Sequence, residues 1–389
     1  MDFTLAQRLQ EIAPFHVMEV IKRAAELEKA GRSTIYMCIG EPDFPPAQPV
    51  LDAASAALSS GAAMRYTAAL GLAELRTAIS GHYKTAFGVD VPAERIVVTA
   101  GASAALLLAC AALVERDAEV LMPDPSYPCN RHFIAAFNGH AKLITSTPAE
   151  RFQLSAETVE ANWGENTRGV LLASPSNPTG TSIERDELAR TLEVVRRHKG
   201  FALVDEIYQG LSYDAPPYTA LELGDDLIVI NSFSKYFNMT GWRLGWLVVP
   251  PAMLPAIEKL AQNFFICASS LAQHAALACF TPQALAVAEE RRQEFRRRRD
   301  YLVPELLELG FEIPVLPDGA FYVYADCSRL SGDADQLTRD ILDRTGVVLT
   351  PGMDFGIDGA KRFIRLSYAT SMENLQEAVR RLREYFAAR

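Results

Sequence analysis

The stretch NSFSKYFNMTGWRLGW, residues 231–246, sets a single lysine among hydroxyls, aromatics and glycines. Lys235 follows an apolar run, LIVINSF, and no second acid or base appears until Arg243. A lysine withheld from water near another cation loses basicity and becomes a competent amine nucleophile, which is the chemistry of Schiff-base formation. Solvated lysines are far commoner, so the reading depends on the residues that join it.

Other apolar runs end in residues of comparable interest. FALVDEIY closes on Asp205, Glu206 and Tyr208, and GVLLASP leads into SNPTGT with Asn177. EVLMPD is followed by PSYP with Tyr127, and RIVVTA by Gly101-Ala102-Ser103 ahead of the helix-patterned AALLLACAAL. Small residues and a hydroxyl at a helix N-terminus suit an anion, because free N–H groups and the helix dipole point at it there. A carboxylate facing a cleft needs a cationic partner to stay charged, and a protonated ring nitrogen is one. Each residue also has an ordinary role open to it: Ser103 as a helix cap, Tyr127 as packing, Asn177 as part of a turn, Asp205 as a solvated strand end.

The elements that must position these residues are legible in outline. Short β-branched runs at 95–100, 119–124, 169–175, 201–206, 227–233 and 244–250 are mostly separated by helix-patterned stretches. That alternation predicts an α/β fold with a three-layer, mostly parallel central sheet, whose ligand lies beyond the carboxyl ends of the strands. The N-terminal stretch predicts a helix ending near Gly31 and a short strand in TIYMCIG. From about residue 283 the pattern reads as a long charged helix, strand FYVYAD, a helix, GVVLTPG, strand RFIRLSY and a last helix. The expected organisation is a large cofactor-binding domain, 45–283, and a smaller α+β domain from 1–44 plus 284–389.

A chain of 389 residues, 49% hydrophobic, buries a sizeable core, and its net charge of -10 argues against nucleic-acid partners and anionic membranes. The basic run in EERRQEFRRRRD, Arg291 to Arg299, is flanked by Glu289, Glu290, Glu294 and Asp300 and reads as the solvated face of a long helix. Six cysteines without CxxC spacing and six histidines outside any ligand pattern predict no metal site and a reducing compartment. The opening MDFTLAQRLQEIAPF holds neither a signal-peptide core nor a membrane span, so a cytoplasmic enzyme is expected.

An imine-forming lysine, an anion cradle with an arginine, an acid for a pyridinium and a stacking aromatic together describe a pyridoxal phosphate site. Eight stretches in order then carry a resemblance: GEPDFPP (40–46), YTAALGLAELR (66–76), VTAGASAALLL (98–108), PDPSYP (123–128), SPSNPTGT (174–181), DEIYQGLSY (205–213), SFSKYFNMTGWRLG (232–245) and RLSYA (365–369). Over nearly its whole length the chain resembles the class I/II aminotransferases, aspartate aminotransferase-like members of the fold type I pyridoxal phosphate enzymes.

The resemblance implies that an amino group moves from an L-amino acid to a 2-oxo acid through an internal aldimine on Lys235, which then carries the proton between Cα and C4′. It implies that Asp205 pairs with the pyridinium nitrogen, that Tyr208 and Asn177 contact the ring oxygen, and that Tyr127 stacks on the ring. Ser232, Arg243 and the turn Gly101-Ala102-Ser103 are implied to hold the phosphate, and Tyr66 to reach it from the neighbouring subunit of a homodimer. Arg365 matches the arginine that grips the α-carboxylate, with Asn177 reaching towards it, and Gly40 allows close backbone approach to the substrate. Gly241 is expected to permit the turn that brings both ends of the lysine segment to one cofactor.

Three other readings use part of this set. A carbon–sulfur β-lyase or a cyclopropane-forming synthase keeps the lysine, aspartate and arginine, and transamination is preferred as the commonest outcome of the motifs. A ligand-sensing regulator needs an added DNA-binding segment, and only residues 1–39 precede GEPDF. A cofactor-free lysine aldolase leaves Asp205, Arg243 and the phosphate turn without purpose. Aspartate-specific relatives read the side-chain carboxylate with an arginine from the other subunit; NFFICASSLAQHAALACF (263–280), roughly where it falls, has no arginine or lysine. Other branches recognise a distal carboxylate differently, so aspartate stays open. Phe15, Phe264 and Phe265 are candidates to line an apolar side-chain pocket.

Overall fold

The computed structural model describes residues 3–388. After β1 (Ile35–Tyr36), seven strands build the central sheet: β2 (Ile96–Thr99), β3 (Glu119–Asp124), β4 (His140–Thr145), β5 (Thr167–Ala173), β6 (Phe201–Asp205), β7 (Ile228–Ser232) and β8 (Gly245–Val248). Their spatial order is β2-β8-β7-β6-β5-β3-β4, and every pairing is parallel except the two that β8 makes. The six apolar runs all form strands. The edge strand β4 has no such run: HAKLIT is half-exposed along its length, so it never had to be continuously apolar.

Successive side chains of a strand point to opposite faces, so a strand covered on both sides feeds two cores. Val170 and Leu172 of β5 join a cluster with Ile79 and Leu192, whereas Leu171 joins another with Leu106 and Ile134. In β7, Val229 faces the first cluster while Ile228 and Ile230 face the second. Helices 73–87 and 185–197 therefore cover one face and helices 101–113 and 128–136 the other, giving three layers. Each fully buried Leu, Ile or Val contributes roughly 1.5–3 kcal/mol relative to exposure, which makes this two-sided burial the main cohesive force of the sheet.

A third core gathers the chain ends. β9 (Tyr322–Asp326), β11 (Thr350–Pro351) and β12 (Phe363–Ser367) form an antiparallel sheet, and β10 (Val347–Val348) pairs in parallel with β1. Ile35 and Met37 pack there with Phe295, Phe321, Ile364 and Leu375, so the N-terminal segment is completed by residues three hundred positions away. No helix among the described residues is long and apolar enough to cross a membrane.

The basic run departs from expectation. Arg297 is exposed, but Arg298 and Arg299 are buried. Arg298 donates to Asp43 Oδ1 at 2.7 Å and Glu294 Oε1 at 2.9 Å, and Arg299 donates to the Pro317 carbonyl at 2.9 Å and is paired with Asp214 and Asp300. Arg291 donates to the Pro45 carbonyl at 2.6 Å and to Asn238 Oδ1 at 2.8 Å. Arg291 and Arg298 fasten helix 282–308 to the loop that follows Gly40, and Arg299 fastens it to Asp214 and the Pro317 carbonyl, because acids and carbonyls neutralise charges that water would otherwise solvate.

Candidate active site

The antiparallel strand β8 is what assembles the site. Gly245 pairs with Ser232 on one side and with Thr99 on the other, so the chain leaves β7 at Ser232 and re-enters the sheet beside the start of helix 101–113. Arg243, just ahead of β8, thereby comes to the sheet edge where Ser232, Asp205 and Gly101 also end. The intervening turn does not use Gly241 as its left-handed residue; Asn238 (φ 54°) and Arg243 (φ 51°) take that conformation instead. Asn238 tolerates it because its short polar side chain bonds locally, donating to the Lys235 carbonyl at 3.1 Å.

These ends open into a cavity of about 380 Å³, a size that suits a small-molecule ligand. Lys235 lies in its wall with Nζ donating to the Gly40 carbonyl at 2.6 Å and standing 5.6 Å from the centre of the Tyr208 ring. Burial lowers its pKa from 10.5 to about 8; Arg365 and Arg243 push the same way, against Glu41 and Asp205. The lowered pKa raises the share of free amine that nucleophilic attack needs. At the end of β6, Asp205 accepts the Ile207 N–H at 3.1 Å, and burial pushes its carboxyl up to about 7, against the pull of that bond and of Lys235. A carboxyl so desolvated gains from any cation placed against it.

Tyr208 is buried and shares a 2.8 Å hydrogen bond with the hydroxyl of Tyr322, and burial raises its pKa well above 10. Arg365, on β12, donates from Nη1 to Asn177 Oδ1 at 2.9 Å and from Nη2 to the Cys38 carbonyl at 2.6 Å. Its guanidinium carbon lies 4.5 Å from the ring centre of Tyr322 and 4.6 Å from that of Phe355, while its Nε is buried without a partner among the described residues. A planar fork held between two rings, with donor capacity to spare, is built to take a carboxylate.

At the other end, helix 101–113 starts without a side-chain cap. Ser103 is therefore no cap, and with Ala102 it lines the cavity where first-turn N–H groups lack intrahelical acceptors. Gly101 has φ 78°, and a Cβ there would fall 2.7 Å from Arg243 Nη2, so only glycine lets the guanidinium lie across the helix start. Ser232 Oγ accepts the Ser234 N–H at 3.0 Å and donates to the Leu244 carbonyl at 3.3 Å. Tyr127 lines the cavity at the start of helix 128–136, its ring centre 6.4 Å from that of Phe15.

Of the residues singled out in the sequence, Gly40, Ala102, Ser103, Tyr127, Asn177, Asp205, Tyr208, Ser232, Lys235, Arg243 and Arg365 all line this one cavity. Gly101 stands behind Arg243. Tyr66 is apart from it in the single chain and 80% exposed. At Gly40 the close neighbour is Tyr322, whose hydroxyl would lie 2.4 Å from a Cβ placed there. Phe15 lines the cavity, whereas Phe264 is exposed and Phe265 packs on the core beneath helix 101–113. Tyr322, Phe355, Val17, Met18 and Ile21 line it unforeseen, because their approach depends on the two chain ends folding over the sheet edge.

The sequence model of the family described as aminotransferase class I and II matches residues 32–382. The valine–pyruvate aminotransferase of Mycobacterium tuberculosis is 38% identical over 373 residues, covering 95% of this chain and 96% of that protein. The (5-formylfuran-3-yl)methyl phosphate transaminase of Methanocaldococcus jannaschii is 34% identical, covering 98% and 99%. Among solved structures, an aminotransferase from Mycobacterium tuberculosis matches with a TM-score of 0.96 at 36% identity over 100% of both chains. The aspartate aminotransferase of Thermus thermophilus with maleate matches at 0.92 and 30% identity, covering 98% of this chain and 100% of that one. Its strand order, the convergence of its strand ends and these likenesses along nearly all of its length agree: the chain belongs to the class I and II aminotransferases.

Proposed function

We propose that this aminotransferase works with pyridoxal 5′-phosphate held in the cavity around Lys235. The observation that carries the reading is the pairing, in one cavity, of a lysine whose pKa is lowered to about 8 and a buried Asp205 whose carboxyl is pushed up to about 7. The residues fit the group: Asp205 suits a protonated ring nitrogen, and Gly101, Ala102, Ser103, Ser232 and Arg243 offer backbone donors, hydroxyls and a cation to a phosphate. The bound cofactor supplies an electron sink for the pair left when a substrate's Cα–H bond breaks.

The side chains divide the remaining work. Lys235 would hold the aldehyde end of the cofactor and would carry the proton to and from the substrate's Cα; its lowered pKa suits both tasks. Asp205 keeps the ring nitrogen protonated. Tyr208 and Asn177 would hydrogen-bond to the cofactor's ring oxygen, Tyr127 would pack on its ring, and Arg365 with Asn177 would hold the α-carboxylate of an amino acid or 2-oxo acid. Gly40 receives the lysine ammonium on its carbonyl and keeps a side chain out of the substrate's path. The relatives named above are transaminases, which favours transfer over β-elimination.

The domain boundaries we place at 45–283 for the large cofactor-binding domain and 1–44 plus 284–389 for the small one, supported by separate cores. The exposed Tyr66 supports a homodimer in which it reaches the partner's cofactor phosphate. Six free thiols suit a reducing, cytoplasmic setting. With pyridoxal phosphate the purified protein should gain a visible absorbance band that an L-amino acid bleaches and a 2-oxo acid restores. Lys235→Ala should fold yet lose turnover by about a thousandfold or more. A protein that takes up no cofactor would refute the reading. Mixing Tyr66→Phe and Lys235→Ala chains should rebuild one complete site per dimer; no recovery on mixing excludes the shared site.

A further inference from the structure

We infer that Tyr322 is a positioning residue with two separable tasks: its hydroxyl turns the Tyr208 proton towards the cofactor's ring oxygen, and its ring braces Arg365. The inference rests on the reading of the cavity as a pyridoxal phosphate site and extends it to a residue that the sequence motifs do not single out. Tyr322 is 0% exposed in the single chain, so both tasks depend on contacts made within that chain.

The hydroxyl's task follows from counting protons. Tyr208 and Tyr322 each keep one hydroxyl proton, since burial raises the pKa of both. Among the described residues each hydroxyl has the other as its hydrogen-bond partner, at 2.8 Å. That shared bond uses one of the two protons. When Tyr208 donates to the ring oxygen, the shared bond must therefore run from Tyr322 to Tyr208. Among the described residues the Tyr322 proton has no competing acceptor, and donation from Tyr322 polarises Tyr208 into a stronger donor. Gly40 leaves the room for this arrangement, because a Cβ there would fall 2.4 Å from the Tyr322 hydroxyl.

The ring's task follows from register. In the antiparallel pair of β9 and β12, Tyr322 stands opposite Ser367 and Tyr324 opposite Arg365. Tyr322 and Arg365 are thus diagonal neighbours, a separation that an aromatic and a long side chain can bridge. The Arg365 guanidinium carbon lies 4.5 Å from the Tyr322 ring centre, inside the range of a cation–π contact. One side chain so meets both the group placed for the substrate's carboxylate and the group placed for the cofactor's ring oxygen. The contacts use different atoms of it, which makes them separable by substitution.

The test uses the holoenzyme. Tyr322→Phe removes the hydroxyl and weakens Tyr208 as a donor, and a hydrogen bond to the ring oxygen favours that oxygen's charged, unprotonated form. The pH midpoint at which the bound cofactor's visible band shifts should therefore rise by about half a unit in Tyr322→Phe. In a Tyr208→Phe background the same substitution should move the midpoint no further, because the hydroxyl acts through Tyr208. The KM of an L-amino acid that bleaches the band should stay within about twofold of wild type in Tyr322→Phe and rise about tenfold in Tyr322→Leu, with kcat changing less. Tyr322→Met takes the place of Tyr322→Leu if the latter does not fold. A midpoint that stays or falls in Tyr322→Phe, or a shift that adds to that of Tyr208→Phe, removes the hydroxyl's task. A KM unmoved in Tyr322→Leu, or raised equally in Tyr322→Phe, removes the ring's task. If wild-type protein takes up no pyridoxal phosphate, the underlying reading falls instead.

Discussion

Arg365 and Asn177 meet across the two halves of the molecule: Nη1 of the arginine, on β12, donates at 2.9 Å to Oδ1 of the asparagine in the turn after β5. Each restrains the other, because the guanidinium is buried between two rings and the asparagine supplies one of its few acceptors. The Arg365 fork, which we propose takes a carboxylate, is thus aimed by a residue of the turn after β5 and is not a free strand-end side chain.

Asn177→Ala should weaken substrate binding more than chemistry. Loss of one partner from a hydrogen bond to a buried charge costs about 1.5–3 kcal/mol, so kcat/KM should fall by roughly ten- to a hundredfold, mostly through KM. Steady-state kinetics with a saturating 2-oxo acid would separate the two, and an unchanged KM would contradict the assigned restraint.

Gly101→Ala should loosen the phosphate end. The left-handed conformation costs a residue with a Cβ about 1–2 kcal/mol, and that Cβ also displaces Arg243 Nη2. We expect cofactor affinity to drop about tenfold or more, measured by titrating cofactor-free protein with pyridoxal phosphate. Equal affinity would mean that Arg243 holds nothing at the helix start.

Lys235→Met should make cofactor-free protein more stable near neutrality. The fold lowers the lysine pKa from 10.5 to about 8, so unfolding takes up a proton between those values and wild-type stability rises with pH across that window. Below pH 8 the partly desolvated ammonium is a full penalty, worth up to about 3 kcal/mol, which the variant lacks. The stability gap in urea unfolding should close as pH passes 10.5; a gap that does not vary with pH would contradict the depressed pKa.

Asp205→Asn should separate stability from turnover. Burial raises the carboxyl from 3.8 to about 7, so its stability contribution is full below 3.8 and lost as pH rises through 7. Cofactor-free Asp205→Asn should therefore exceed wild type in stability at pH 8 and match it at pH 4, while its turnover falls by at least about a hundredfold. Wild-type turnover in this variant would remove Asp205 from the ring nitrogen.

Much of this molecule was readable along the chain. The β-branched runs became strands because a sheet covered on both faces needs apolar residues at consecutive positions, and the residues closing those runs reached one cavity because strand ends share one edge. The half-exposed β4 escaped notice for the same reason in reverse. Gly241 misled because the turn after Lys235 takes its left-handed residues at Asn238 and Arg243, where local hydrogen bonds decide the conformation. Arg298 and Arg299 misled because burial depends on what packs opposite, here Asp43 in the loop after Gly40 and Asp214 in the segment after Tyr208.

Residue types and their order by themselves pointed to the chemistry: a lysine in apolar surroundings, an acid at a strand end, glycine and hydroxyls ahead of a helix, and an arginine in the run RFIRLSY. The tertiary structure alone decided which residues line the cavity. Gly245 pairs with both Thr99 and Ser232, so Arg243 meets Gly101 across more than a hundred residues, and Asp354 caps a helix that begins at His16. Such contacts leave no periodic trace in the chain, because they arise from antiparallel pairing and from the two termini closing over one edge, where sequence separation has no bearing on distance.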